Sequence, residues 1–481
     1  MNVVADQPTV VGDPAVRRPS IKPDRWLVAL FVGFPLWWAL GLGDLSFILA
    51  AIPMAYKLGR RKRIKLPPGF GAWLLLLLWI MVSFVMLGEN PRGVVDDSFS
   101  HRLLPYGLRL AQYLSATVVL LYIGNLSEFE LPRKRLIRSL SVLFGWTVLG
   151  GLLGTVDPTF QFTSPVEKLL PASVAQNIFV QSLVHPSAAQ LQKVLGFSTP
   201  RPSAPFGYTN TWGNNYAVLL VWFVVAALVL SRRTGTRVLA LAFLAISALP
   251  VVHSLNRGLW VGLGVAVMYL AYRLAAQRRP GLAVGVALAV GAVLAVVLAT
   301  SLGSLVDQRT SSAGGKSNAL RIFTTKGAIA VVRQSPFLGF GGTRNALGSP
   351  QSIAVGKSRA CPRCGNVALG SNGQIWLLLV SQGLIGAALY VYFFLYSMWR
   401  YRRDHSPIGL AGTLVLLLAL VFSPIYNAVG SPIVLYLVAA ALLWRNDQAR
   451  QLEEAEAARI APAGGREFPT SLASLEPAPT G

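Results

Sequence analysis

Lys57-Leu-Gly-Arg-Arg-Lys-Arg-Ile-Lys65 and, five residues on, Phe70-Gly-Ala-Trp-Leu-Leu-Leu-Leu-Leu-Trp-Ile-Met-Val-Ser-Phe-Val-Met-Leu87 together decide the fold class. The second stretch carries no charge over nearly the length an α-helix needs to cross bilayer hydrocarbon, about 20 residues. The first carries six cations and no carboxylate, the composition of a short connection held on the cytoplasmic side of a membrane.

The same alternation continues in both directions. Apolar runs lie at 26–42, 45–56, 70–87, 103–124, 140–156 and 216–230, and again at 238–252, 259–275, 282–302, 374–396, 408–426 and 433–443. These predict an all-α, polytopic integral membrane protein of about twelve transmembrane helices. Several runs are short, so flanking polar residues must complete them. The first two are split only by Gly43 and Asp44, and a re-entrant hairpin is the other reading of that pair. Basic clusters recur at Arg133, Lys134, Arg135 and Arg138, at Arg232, Arg233 and Arg237, at Arg273, Arg278 and Arg279, at Arg400, Arg402 and Arg403, and at Arg445. They keep step with the helices and predict that both termini are cytoplasmic.

Composition agrees with this reading. Of the 481 residues 53% are hydrophobic and 13% charged, about half the charged share of a soluble domain. A net charge of +24 raises nucleic acid as a partner, but the cations sit in short clusters between apolar runs, which excludes it. The expected organisation is a disordered cytoplasmic tail (1–24), a membrane domain (25–444) with extracytoplasmic loops at 157–214 and 301–373, and a mostly disordered cytoplasmic tail (445–481). The charged run 447–459 in that last tail suits a short solvated helix.

The loop 301–373 is unusual for an outer segment. Arg309, Lys316, Arg321, Lys326, Arg333, Arg344, Lys357, Arg359 and Arg363 stand against one carboxylate, Asp307. An anionic partner accounts for this; so does contact with lipid headgroups, because long loops cross regardless of charge. Within it, 318–333 has apolar residues at Leu320, Phe323, Ala330 and Val331 and reads as an amphipathic interfacial helix with Lys326 and Arg333 on one face. No acidic cluster for a divalent cation appears in the outer loops beyond the pair Asp96 and Asp97, so no metal and no cofactor is expected. Cys361-Pro-Arg-Cys364 lacks the further ligands of a zinc site and reads as a local disulfide or as free thiols.

Three outer motifs carry chemistry. Arg201 precedes Phe206-Gly207-Tyr-Thr-Asn210; Asn256-Arg257-Gly258-Leu259-Trp260 opens an apolar helix; and Arg321 is followed by Ser335-Pro336-Phe-Leu-Gly339-Phe-Gly341. In order, spacing and common side of the membrane, the sequence resembles the O-antigen ligase and O-antigen polymerase family of bacterial membrane glycosyltransferases, over roughly residues 195–390. The family's outer loop ends in His-Asn ahead of Gly-x-x-Gly; here Gly383-Leu-Ile-Gly386 is present, but Asn372 and Gly373 occupy the places of the histidine and asparagine.

The resemblance implies transfer, on the extracytoplasmic face of the bacterial cytoplasmic membrane, of a glycan from a polyprenyl-diphosphate carrier to a glycan or lipid acceptor. Ligation is the first reading and chain polymerisation the second; outside the enzymes, a transporter, flippase or non-catalytic binder of the lipid-linked glycan is the alternative. Arg201, Arg257 and Arg321 are the expected clamp on the diphosphate, because guanidinium offers paired donors to phosphate oxygens and stays charged. Asn372 stands at the acceptor, where an amide cannot take a proton as imidazole does. Asn210, His253, Lys326 and Arg333 are expected to contact substrate, and His253 and His185 are the imidazoles available in place of the missing base.

Overall fold

A computed structural model of the chain describes residues 26–176, 178–192, 199–278, 315–346 and 367–460, with 281, 284, 285, 288 and 291. The molecule is mostly helical, and eleven of the twelve apolar runs fall on helices; most of the ninth, 282–302, lies outside the described residues, as do Cys361 and Cys364. Among the described residues six helices are long and apolar enough to cross a membrane: α5 (Phe99–Asn125), α6 (Arg133–Val156), α10 (Thr209–Val224, continued to Val229 as a π-turn), α11 (Thr234–His253), α12 (Arg257–Ala276) and α14 (Gln374–Arg400). Shorter apolar helices are α3 (Ser46–Gly59), α4 (Phe70–Val82) and α15 (Pro407–Phe422). The first run is broken at Gly33 into α1 (Trp26–Val32) and α2 (Phe34–Ala39).

The last helix, α16 (Ser431–Ile460), is the centre of the bundle. Residues 433–444 are all buried, as expected of a helix that is apolar on every side, and the same helix carries the charged run 447–459 without interruption.

Some helices begin before their apolar runs. α10 starts at Thr209, seven residues ahead, where polar side chains of its first turns find partners inside the bundle: Tyr436 donates to Asn214 Oδ1 at 2.7 Å, Asn215 Nδ2 to Ser431 Oγ at 2.7 Å, and Trp212 Nε1 to the Thr147 carbonyl at 2.9 Å, while Asn214 Nδ2 and Asn215 Oδ1 are buried without one. Buried polar groups with partners cost little, so hydropathy alone misplaces such boundaries.

The basic clusters meet at one end of the bundle. Arg61 pairs with Glu130 at 2.5 Å, Arg133 donates to Asn446 at 2.5 Å, Arg445 pairs with Glu128 at 2.8 Å, Arg400 with Asp447 at 2.8 Å, and Arg273 donates to the Asp404 carbonyl at 3.1 Å.

At the other end the loop elements pack together. Between α6 and α10 lie three short helices, α7 (Pro165–Leu169), α8 (Ala172–Ala175) and α9 (Ile178–Val184), and a two-stranded antiparallel ribbon, β1 (Ala189–Gln192) with β2 (Thr199–Pro202), in which Gln190 faces Arg201. α13 (Gly315–Val332) packs over a second ribbon, β3 (Arg344–Ala346) with β4 (Val367–Leu369). The buried residues of α13 are Thr324, Ala328 and Val331, whereas Phe323 and Ala330 are exposed beside Ile322 and Ile329. In a membrane protein apolar side chains serve lipid-facing and protein-facing surfaces alike, so the sequence pattern does not tell the two apart.

α14 is interrupted at Gly383, where φ is +66°. The freed backbone groups are taken up by the outer-loop motif: Phe340 N donates to the Val380 carbonyl at 2.9 Å, Gly341 N to Ser381 at 2.7 Å, and Leu384 N to Pro336 at 2.7 Å. The Pro336–Gly341 and Gly383–Gly386 motifs are thus two halves of one joint.

Candidate functional site

The site is best built outward from Tyr426, in the turn between α15 and α16. Its hydroxyl donates to Asn256 Oδ1, and its carbonyl accepts from Gln374 N at 2.8 Å. Asn256 caps α12, its side chain accepting from Leu259 N, and its amide nitrogen donates to the Thr209 carbonyl at 3.4 Å. One residue, Tyr426, therefore joins the Asn256-Arg257-Gly258 turn through its hydroxyl to the start of α14 through its carbonyl, and Asn256 continues the link to the start of α10. A side-chain carbon at Gly258 would collide with the Tyr426 hydroxyl and with Ile425; the glycine of that motif is there to admit the phenol.

Three arginines surround this junction. Arg201 is buried on β2, and its Nε donates to the Ser254 carbonyl at 2.5 Å. Arg321, on α13, is partly buried, and Arg257, the first residue of α12, donates to Asn318 Oδ1 at 2.6 Å. Burial pushes the Tyr426 phenol well above its ordinary range, while Arg201 and Arg321 beside it act in the opposite direction. Burial likewise lowers the Arg321 guanidinium, the Tyr426 oxygen opposes this, and the like charge of Arg257 adds to it. Among the described residues neither Arg257 nor Arg321 is paired with a carboxylate. Cations so placed lack the compensation that buried charge requires and suit an anionic ligand.

Asn372 joins the same group. Its Nδ2 donates to Thr324 Oγ1, one turn along α13 from Arg321, which leaves Oδ1 as the acceptor it presents. His253 ends α11, next to the Ser254 carbonyl that holds Arg201, and is half-buried; Asn210 is exposed in the first turn of α10. Lys326 is exposed on α13, away from its packed face, and Arg333 is exposed directly after the end of that helix. His185 lies elsewhere on this side: its Nδ1 is 2.8 Å from Glu167 Oε2, and it lines a small cavity with Asp44, Phe206 and Gly207. Asp97 is engaged with His101 at 2.9 Å.

Arg344 does not belong to the site, although the loop's charge count includes it. It is 1% exposed and donates to the carbonyls of Met86, Leu87, Glu89, Phe340, Gly342 and Thr343. Arg102 shares two of these, Leu87 and Glu89. This pair is a fastening between the loop after α4 and the large outer loop.

Tyr426 was not singled out by the sequence, because it closes an apolar run and looks like an interfacial aromatic. The signal for it in the sequence is the glycine after Arg257, which implies a close neighbour without naming one.

Fold and site together define a polytopic helical membrane protein with a cluster of arginines where its loop elements meet. Residues 241–360 match the family model described as O-Antigen ligase (Wzy_C), a segment that contains His253, the Asn256–Gly258 turn, Arg321 and the Pro336–Gly341 motif, with Arg201 and Asn372 outside it. That match covers residues 241–360 of the 481 and supports the O-antigen ligase family for this segment, and with it a membrane glycosyltransferase role of the O-antigen ligase and polymerase type. No curated protein matches the chain.

Proposed function

We propose that the protein transfers a glycan from a polyprenyl diphosphate to an acceptor hydroxyl on the extracytoplasmic face of the bacterial cytoplasmic membrane, in cell-surface polysaccharide assembly. The observation that carries this reading is the convergence of Arg201, Arg257 and Arg321 around Tyr426, with no carboxylate paired to the latter two arginines among the described residues. In the reaction the acceptor oxygen attacks the anomeric carbon, the bond from that carbon to the diphosphate oxygen breaks with inversion, and the electron pair leaves on the diphosphate. The three guanidiniums meet the charge that develops there; prearranged charge of this kind is a principal source of catalysis. Asn372 accepts the acceptor's hydroxyl hydrogen through Oδ1, and the proton departs to water late, once cleavage has made the hydroxyl acidic. Asn210 and His253 border the acceptor side, and Lys326 and Arg333 face lipid headgroups or the carrier.

The topology proposed with this reading has about twelve spans and both termini cytoplasmic. The end of the bundle that joins the basic clusters then faces the cytoplasm, and the arginine site faces outward. A transporter reading draws on helices broken near the bilayer midplane. The break at Gly383 has its backbone groups taken by the outer loop and offers none to a ligand, which favours surface chemistry. The test is incubation of the purified protein with a polyprenyl-diphosphate oligosaccharide and an acceptor glycan. A larger glycan together with free polyprenyl diphosphate is the expected result; neither product under any donor would leave a binding protein.

A further inference from the structure

We propose that a groove at the end of the bundle where the basic clusters meet is a site for one anionic phospholipid. It is separate from the arginine site, and only its placement in the cytoplasmic leaflet rests on the topology proposed above. The groove has a volume of about 590 Å³ and lies between the start of α6, the end of α10 and the connection into α11. Its apolar lining includes Phe223, Ala226 and Ala227; its cationic lining is Arg138, Arg232 and Arg233.

Shape, wall and charge each point to this ligand. The end of α10 is the π-turn Val225–Val229, in which Leu230 N donates to the carbonyl five residues back, that of Val225, at 2.9 Å. Widened turns of this kind are rare and recur at functional sites. Here the turn carries Ala226 and Ala227, whose small side chains leave the space open. The Phe223 ring packs against Phe144 at 4.8 Å and Phe243 at 5.7 Å between centroids, and a wall already fixed has less to order on binding. At the same end of the bundle Arg133 and Arg445 are both paired with Glu128. Arg138, Arg232 and Arg233 are exposed, and among the described residues none of them is paired with a carboxylate. A phospholipid meets both linings at once. An acyl chain covers the apolar wall while the headgroup phosphate accepts from the guanidiniums, as in other basic pockets between membrane helices on the cytoplasmic side. A soluble anion would leave Phe223 and the alanines uncovered, and a zwitterionic headgroup would bring a cation up to the arginines.

The test titrates the purified full chain in detergent with phosphatidylglycerol and with phosphatidylcholine, read by native mass spectrometry. The wild type is expected to hold one phosphatidylglycerol per chain and to bind phosphatidylcholine more weakly. One basic side chain near an anionic headgroup contributes about fivefold in affinity, so Arg138→Ala combined with Arg232→Ala should bind phosphatidylglycerol about 25-fold more weakly. Lys134→Ala combined with Arg135→Ala removes two exposed cations outside the groove and should keep the wild-type affinity. Ala226→Phe retains every cation, fills the groove and is expected to lose the lipid; Ala227→Leu serves the same purpose should Ala226→Phe fold poorly. Equal affinity of the wild type for the two lipids, an equal loss from the Lys134 and Arg135 pair, or wild-type binding by the folded groove-filling variant overturns the proposal, because the cations then act only as general surface charge. Displacement of the lipid by inorganic phosphate would make this a free-anion site and overturn it too. None of these outcomes depends on glycan transfer or on the leaflet the groove faces, so this inference and the transferase reading fail separately.

Discussion

Arg257 and Arg321 are like charges within each other's field, an arrangement that costs stability in the absence of an anion and supplies affinity in its presence. Replacement of Arg257 or Arg201 by alanine is expected to lower transfer from a lipid-linked donor by about 10²-fold or more, the scale seen when one donor to a developing oxyanion is removed, with folded protein still in the membrane. Arg257→Lys should recover only part of the rate, since a point charge replaces a two-pronged donor. Wild-type rates in both alanine variants would return these residues to headgroup anchors. Asn372 follows a different logic. It orients a hydroxyl and carries no proton, so Asn372→Ala should cost less than Arg257→Ala. Asn372→His introduces a base that is active only when neutral, and its rate relative to wild type should therefore rise with pH through about 6.5, the ordinary imidazole value. A flat ratio between pH 5 and 8 would show that the position does not touch the acceptor. His253→Ala and His185→Ala test the two imidazoles already present, and steady activity in both would dismiss them as substitute bases.

The element that decides the architecture of the site is the joint between the outer loop and the broken helix α14. Gly383 and Gly339 have φ of +66° and +65°, and a side-chain carbon at either would collide with backbone of the other segment. Gly383→Ala combines strained backbone with that collision and is expected to destabilise the protein by at least about 1–3 kcal/mol, read as a lowered unfolding temperature in detergent. Arg344→Ala should cost a similar amount, because it leaves several buried carbonyls without a donor. If Arg344→Ala instead removes activity while leaving stability untouched, the guanidinium serves the ligand and not the fold. Both glycine motifs were legible in the sequence as spacing, but their mutual contact was not, since residues 336 and 383 meet only through tertiary structure. The same limit explains α13. Its existence and approximate bounds followed from the residues 318–333, whereas its buried stripe through Thr324 and Ala328 did not, because a threonine and an alanine carry no strong burial signal. Helix starts such as Thr209 were missed for a related reason: Asn214 and Asn215 look like loop residues until their partners Tyr436 and Ser431 are brought beside them.

Across the whole molecule, the basic clusters that alternate in the sequence gather at one end and the arginine site lies among the loops at the other. Arg445 and Asp447 are buried members of these pairs, and the pairs bear here on sidedness. With Cys361 and Cys364 replaced by serine, Lys326→Cys should react with a membrane-impermeant maleimide on intact cells, and Thr234→Cys only after the membrane is opened. The reverse pattern would invert the topology and every outer-face assignment. The three arginines of the proposed clamp could be picked out as candidates because each sits in a short motif of distinctive composition. Tyr426 was not, because a buried polar junction between four distant segments leaves no local trace. The measurement that bears most directly on the account is the stoichiometry of the reaction in proteoliposomes given a polyprenyl-diphosphate oligosaccharide and an acceptor glycan. One polyprenyl diphosphate released for each glycan transferred by the wild type, and neither from Arg257→Ala, is the predicted result; transfer by Arg257→Ala at the wild-type rate, or glycan transfer with no diphosphate released, would contradict it.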